Sequence, residues 1–163
     1  MKNTKKIKIY LLLICLLINT LYIAPSFALI SQEDFFKDAL NLSSRGEFNL
    51  ALRQWNKYLE LFPDDAAALS NRGNIKLIIG DPKGSIDDQD KAIDLDPEQV
   101  DPYINRGIAK ESLGLWLQAK KDYLYVISKD NDNFSALYNF ANVEGSLSNW
   151  QSARNLFSQA SES

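Results

Sequence analysis

Few side chains in this 163-residue sequence have the chemistry of a catalyst. It has no histidine, and its one cysteine is Cys15. From Leu29 onward there is neither thiol nor imidazole, which excludes Cys/His zinc sites, axial haem ligation and thiol or imidazole catalysis. Asp87, Asp88, Asp90, Asp94 and Asp96 cluster, but at ordinary surface spacing with Lys83 and Lys91 among them, the pattern of a solvated helix face. Asp130-Asn131-Asp132-Asn133 starts like a calcium loop, yet the later glycine and glutamate are missing, so turn and cap chemistry accounts for it better. What remains is hydrogen bonding. Asn71, Asn105 and Asn139 recur at a step of 34, and each amide offers both a donor and an acceptor. Arg72 and Arg106 follow directly, each with an aspartate sixteen residues on, Asp88 and Asp122. No catalytic residue, metal ligand or cofactor is assigned.

The asparagines obey a longer rule. Ala39, Gly73, Gly107 and Ala141 form one column at the same step; Ala51, Ser85, Ala119 and Ala153 form a second. Tyr58, Ala92, Val126 and Ala160 form a third, and Pro63 and Pro97, followed by Asn131, a fourth. A fixed period of this length means stacked supersecondary units. Each unit reads as two helices and a turn, with no alternating pattern for a strand. The first gives 32–45 and 48–61 around Gly46. The second gives 66–79, then Gly80, then a helix capped by Asp81, opened by Pro82 and ended near Leu95 by Asp96-Pro97. The third gives 100–113 and 116–129 around Gly114. The fourth gives 134–147 and 150–160, with Ser148-Asn149 in place of the glycine. The small columns fit a close helix crossing, where larger side chains would push the backbones apart, and they predict Ala51, Ser85, Ala119 and Ala153 facing the first column. Trp55, Trp116 and Trp150 are read as core.

The first 28 residues stand apart. Lys2, Lys5, Lys6 and Lys8 precede an apolar run from Ile9 to Ile18, and Ser26-Phe27-Ala28 puts small residues where a signal peptidase reads. This predicts an exported protein with a signal peptide at 1–28 and a repeat domain at 29–163. The other reading is an uncleaved N-terminal anchor, although Asn19 and the short run argue against a full span. Ile14 is not the small residue that a lipoprotein cysteine at Cys15 needs. Removing 1–28 takes away four lysines and no acid, which moves the net charge from −3 to −7. An acidic domain is a poor partner for nucleic acid or an anionic membrane, so a membrane enters only if the first segment is uncleaved.

These columns together resemble the tetratricopeptide repeat, whose signature has a small residue in each helix, an aromatic in the second and a closing proline. Trp55, Tyr123 and Phe157 match the aromatic column and Gln89 does not. Asp38, Arg72, Arg106 and Phe140 stand where the family has leucine. The Asn71-Arg72-Gly73 and Asn105-Arg106-Gly107 triplets resemble a subtype of cyanobacterial and plastid proteins, some exported to the thylakoid lumen. The resemblance implies an all-α, right-handed superhelical array (an α-solenoid) of four units, about 32–65, 66–99, 100–133 and 134–163. It also implies that the first helices line a concave face that binds extended peptides or helices. Lys37, Asn71, Asn105 and Asn139 then project into that face, widened by Asn74 and Asn142 and flanked by Phe36, Ile104 and Tyr138. The asparagine series is similar to the ladder in the repeats of O-linked N-acetylglucosamine transferase. The alternative is that these amides cap or bridge helices within the array. A clamp for acidic C-terminal motifs needs several cations on this face, and only Lys37 is available, beside Glu33 and Asp101.

Two further expectations concern packing. Where the second and third units hold Arg72 with Asp88 and Arg106 with Asp122, the fourth holds Phe140 with Leu156, and the first Asp38 with Gln54. Charge matches charge and apolar matches apolar, which predicts a structural contact within each unit, ligand binding by the arginines being the other reading. The columns Leu59-Ile93-Ile127-Ser161, Leu52-Ile86-Lys120-Arg154 and Leu61-Leu95-Lys129-Ser163 turn polar at the end, the outer face a terminal unit needs; a merely frayed last helix is the alternative. The functional expectation is a scaffold, not an enzyme, that binds a protein segment in its concave groove in a periplasm or thylakoid lumen. The alternative is a self-associating array whose groove is incidental.

Overall fold

In the computed structural model, residues 31–162 are described, so the signal-peptide reading of residues 1–28 lies outside the described residues. Among them are eight α-helices and no strand: α1 Gln32–Ser44, α2 Phe48–Leu61, α3 Ala66–Ile78, α4 Pro82–Leu95, α5 Asp101–Ser112, α6 Trp116–Lys129, α7 Phe134–Ser146 and α8 Trp150–Glu162. The chain divides into two units between Phe35 and Phe36, inside α1, and the remaining helices belong to the second. Within it each helix packs on the next, and α5 also touches α3 and α7.

Local chemistry sets the helix ends. Asp65 Oδ1 accepts from Ala68 N at 2.9 Å, Asp81 Oδ1 from Gly84 N at 2.9 Å, and Asn133 Oδ1 from Ala136 N at 3.1 Å, each satisfying a first-turn donor. Asp130 to Asn133, the calcium-like stretch, is used up in this way: Asp130 also accepts from Asp132 N and Asn133 Nδ2. The odd-numbered helices stop one residue sooner than the sequence suggests. Ile79, Leu113 and Leu147 have left helical ψ as C-caps, and left-handed residues follow. Gly46, Gly80 and Gly114 take φ of +74°, +88° and +72°. At the fourth turn Ser148 adopts the same conformation, φ +64°, with a Cβ that disfavours it.

The core follows the repeat columns. Ala39, Ala51, Ala92, Ala119, Val126 and Ala141 are fully buried. The expected pairing of small columns needs correction, however. A Cβ on Gly107 would meet the Tyr123 ring at 2.5 Å, and one on Gly73 would meet Gln89 Nε2 at 2.6 Å. The glycines therefore make room for the large side chain one turn beyond Ala119 or Ser85. Trp55 and Tyr123 fill that column as buried aromatics, the latter donating to Glu111. Gln89 fills it in α4, donating to Ser70 O at 3.0 Å while its Oε1 has no protein partner. Tyr123, Phe140 and Val143 form a cluster that joins α6 to α7, and Tyr103, Val126 and Ala136 form a second.

Two packing expectations fail. Trp150 is 69% exposed: it opens α8 at the turn, with one edge of its ring against Gly145. Leu61 and Leu95 are exposed too, so the polar residues later in their column say nothing about where packing stops. The Leu59 column does follow packing: Leu59 is buried, Ile127 packs against both clusters, and Ser161 is exposed. Lys120 is not a polar outer residue but reaches Glu144 on α7 at 2.6 Å.

Candidate functional site

One groove of about 470 Å3 runs across the inner helices α3, α5 and α7. Its lining is periodic. Asn71, Asn105 and Asn139 supply one row; Ala67, Asp101 and Ser135, one turn earlier, supply a second. Ser70 with Ile104, Asn74 with Ile108, and Gln99 complete the lining. Five of the sequence-derived residues thus come together: Asn71, Asn74, Ile104, Asn105 and Asn139. Of the other row, the sequence places only Asp101 on this face; Ala67 and Ser135 join it, each four residues before an asparagine.

The other four do not line it. Phe36 is half-buried and packs edge-on against Trp55 at 5.0 Å and Tyr58 at 5.5 Å, so its ring belongs to the first helix pair. Tyr138 sits between Phe134 at 5.8 Å and Phe157 at 5.5 Å, drawn toward α8. Lys37 and Asn142 also fall outside the lining, being a repeat or a turn removed from it.

Hydrogen bonds within the array use part of what the amides can offer. Asn71 Nδ2 donates to Ala67 O at 2.8 Å, within its own helix. Asn105 Nδ2 donates to Ser70 Oγ at 3.3 Å, across to α3. Two amide donors are therefore spent inside the array. Among the described residues, no donor reaches the Oδ1 of either, and Asn139 and Asn74 make no side-chain hydrogen bond.

The arginines next to these asparagines point elsewhere, since neighbouring helix residues are rotated by about 100°. Arg72 Nε and Nη2 donate to Asp88 Oδ2 and Oδ1 at 2.8 and 2.6 Å. Arg106 does the same to Asp122 at 3.1 and 2.6 Å. Each third nitrogen reaches back one unit, Arg72 Nη1 to Asn56 and Arg106 Nη1 to Asp90. A second cation lies on each aspartate, Lys76 at 2.8 Å and Lys110 at 2.7 Å. Burial works against the Arg106 charge, but its bonds to Asp122 and Asp90 hold the guanidinium above its ordinary pKa. Asp88 and Asp122 are almost fully buried, so this seam fixes helix pairs and leaves no cation for the groove. Asp101 is the one ionisable residue in the lining, exposed at the start of α5 and in no salt bridge with any described residue.

No protein-family description matches the chain. It is similar to a FAM10 family protein of Arabidopsis thaliana, 29% identical over 94 residues that cover 58% of this chain and 21% of the relative. It is also similar to the TPR repeat-containing thioredoxin TDX of the same plant, 32% identical over 91 residues, 56% of this chain and 24% of the relative. The chain thus spans about a quarter of the length of these relatives. Among solved structures, MamA of Desulfovibrio magneticus RS-1 superposes with a TM-score of 0.76 at 16% identity, over 83% of this chain and 76% of that one. The first TPR of Spaghetti (RPAP3), bound to the HSP90 peptide SRMEEVD, gives 0.69 at 20% identity, over 72% and 93%. The second TPR domain of human RPAP3, in complex with the HSP70 peptide SGPTIEEVD, gives 0.64 at 23% identity, over 71% and 93%. These likenesses establish the fold: the helices form an all-α array of tetratricopeptide-repeat pairs.

Proposed function

We propose that this chain is a non-enzymatic scaffold that holds an extended protein segment in the groove across α3, α5 and α7. The observation that carries the reading is the Asn71-Asn105-Asn139 row, brought into one groove by three successive inner helices. Packed helices lie about 8–10 Å apart, so a strand of about six residues at roughly 3.3 Å each spans the row. Amide side chains match the groups of a peptide backbone without reading its sequence. Each net hydrogen bond contributes about 0.5–1.5 kcal/mol, and ordering the peptide offsets much of that, so binding is in the micromolar range and reversible.

The RPAP3 domains hold peptides ending in EEVD. Here no lysine or arginine lines the groove, and an acidic C-terminus would find no counter-charge. The partner is therefore of another kind. The basic and apolar N-terminal stretch and the two Asn-Arg-Gly triplets support a place in a periplasm or thylakoid lumen, where such a scaffold assists assembly of a larger photosynthetic membrane complex. The uncleaved first segment would instead tether it to the membrane.

Peptide-display selection on the chain, repeated with Asn71, Asn105 and Asn139 all replaced by Ala, tests the reading. Peptides that bind the wild type and are lost from a folded triple variant support it. Peptides retained by the variant, or none at all, contradict it. A second reading, self-association, has one specific observation in its favour: Leu115, Trp116, Leu117 and Leu147 line an apolar hollow, with Leu117 66% exposed. A sedimentation coefficient independent of concentration would remove it.

A further inference from the structure

Resting on the groove reading above, we infer that the segment it holds carries a lysine or arginine, whose charge pairs with Asp101 while its neighbours donate to the asparagine oxygens. Three observations converge. One N–H of Asn71 and one of Asn105 are already bonded within the array, to Ala67 O and Ser70 Oγ. Each residue keeps one N–H and both lone pairs of its carbonyl oxygen for a ligand, so in this part of the groove acceptor capacity exceeds donor capacity. Asp101 stands in the middle of the second row, between Ala67 and Ser135, and so lies beside the centre of any strand spanning α3 to α7. Every arginine and lysine that the same helices carry nearby is committed to another carboxylate: Arg72 and Lys76 to Asp88, Arg106 and Lys110 to Asp122. The groove thus has one uncompensated negative charge and no positive one.

Alternatives for Asp101 are weaker. It lies in the first turn of α5, where an acid suits the helix N-terminus, but that role needs no position in a groove. Ala67 and Ser135 occupy the equivalent places in α3 and α7 without a charge. The two isoleucines, Ile104 and Ile108, add apolar surface next to Asn105, which suits the methylene stem of a lysine or arginine. The net charge of −3 also draws a cationic segment toward the chain over a longer range.

A library of randomised ten-residue peptides, displayed and selected on the immobilised full chain, separates this inference from the reading beneath it. The expected result is enrichment of Lys and Arg over Asp and Glu in peptides that the Asn71/Asn105/Asn139→Ala variant fails to bind. Asp101→Asn abolishes the enrichment, Asp101→Glu keeps it, and Asp101→Lys reverses it toward acidic peptides. Affinities of single selected lysine peptides fall about two- to fivefold in Asp101→Asn, the scale of an exposed ion pair, and neutral binders do not change. Groove-dependent peptides without basic enrichment, or enrichment that survives Asp101→Asn, overturn the inference and leave the groove reading standing. A selection that yields no groove-dependent peptide overturns both.

Discussion

The second and third helix pairs and the fourth answer the same packing problem with opposite chemistry. At three equivalent positions the middle pairs place arginine, lysine and aspartate: Arg72, Lys76 and Asp88, then Arg106, Lys110 and Asp122. The fourth places Phe140, Glu144 and Leu156 there. Phe140 joins an apolar cluster with Tyr123 and Val143, with Leu156 against it. Glu144, with no cation in its own pair, takes Lys120 from α6 at 2.6 Å and accepts from Asn149 Nδ2 at 3.0 Å. Lys120 also lies 5.1 Å from the Phe140 ring centroid. The difference teaches that these charges serve packing. When the arginine goes, its aspartate goes with it, and the groove beside it keeps an asparagine at 139.

That comparison breaks first at Asp122. Replacing it by Ala leaves Lys110, and two of the three Arg106 nitrogens, largely buried without their anion, and urea unfolding should show a loss of about 3–5 kcal/mol. Taking Phe and Leu from the fourth pair, Arg106→Phe with Asp122→Leu, and replacing the remaining cation as well, Lys110→Met, should instead fall within about 1 kcal/mol of wild type. An equal loss in both variants would mean that the charged seam does more than pack.

Gly107 sharpens the next point. Ala there drives a Cβ into the Tyr123 ring, which is boxed in by buried neighbours, at a cost of about 1–3 kcal/mol. Gly73→Ala meets the flexible end of Gln89 and should cost less, in the same denaturation series. Ser148→Gly relieves the left-handed residue in the last turn and should stabilise by about 1 kcal/mol.

The smallest effect is in acid. Burial raises the Glu144 carboxyl, but hydrogen bonds from Lys120 and Asn149 and the Lys120 charge outweigh it, leaving the pKa below the ordinary glutamate value of 4.5. Its contribution is complete above that value and is lost as pH falls through the lowered one. Stability curves should therefore show a shallower acid decline in Glu144→Gln than in wild type, and identical slopes would contradict the pairing.

The fold was legible because its determinants are local and repeated. Asp81-Pro82, Gly114 and the 34-residue columns mark helix ends and contacts that need no long-range information. Arg72 and Asp88 could be paired on paper because the fourth pair changes both members together. What escaped depends on three-dimensional neighbours. The second cations, Lys76 and Lys110, sit one turn from their arginines, and no column ties them to the aspartates. Lys120 reaches forward into the next pair, a contact at a spacing of 24 that no column exposes. Phe36 and Tyr138 hold suitable columns but are captured by Trp55 and Phe157. In the groove, the asparagine row could be read from spacing, whereas the occupied state of the Asn71 and Asn105 donors could not.

The central claim, that an extended segment lies along α3, α5 and α7, is tested most directly by the side-chain amide NMR signals of Asn71, Asn105 and Asn139 during titration with a selected lysine-bearing peptide. The account predicts that all three shift together and saturate, with the Leu115-Trp116-Leu117 edge unchanged. Silent asparagines, with shifts confined to that edge, would contradict it.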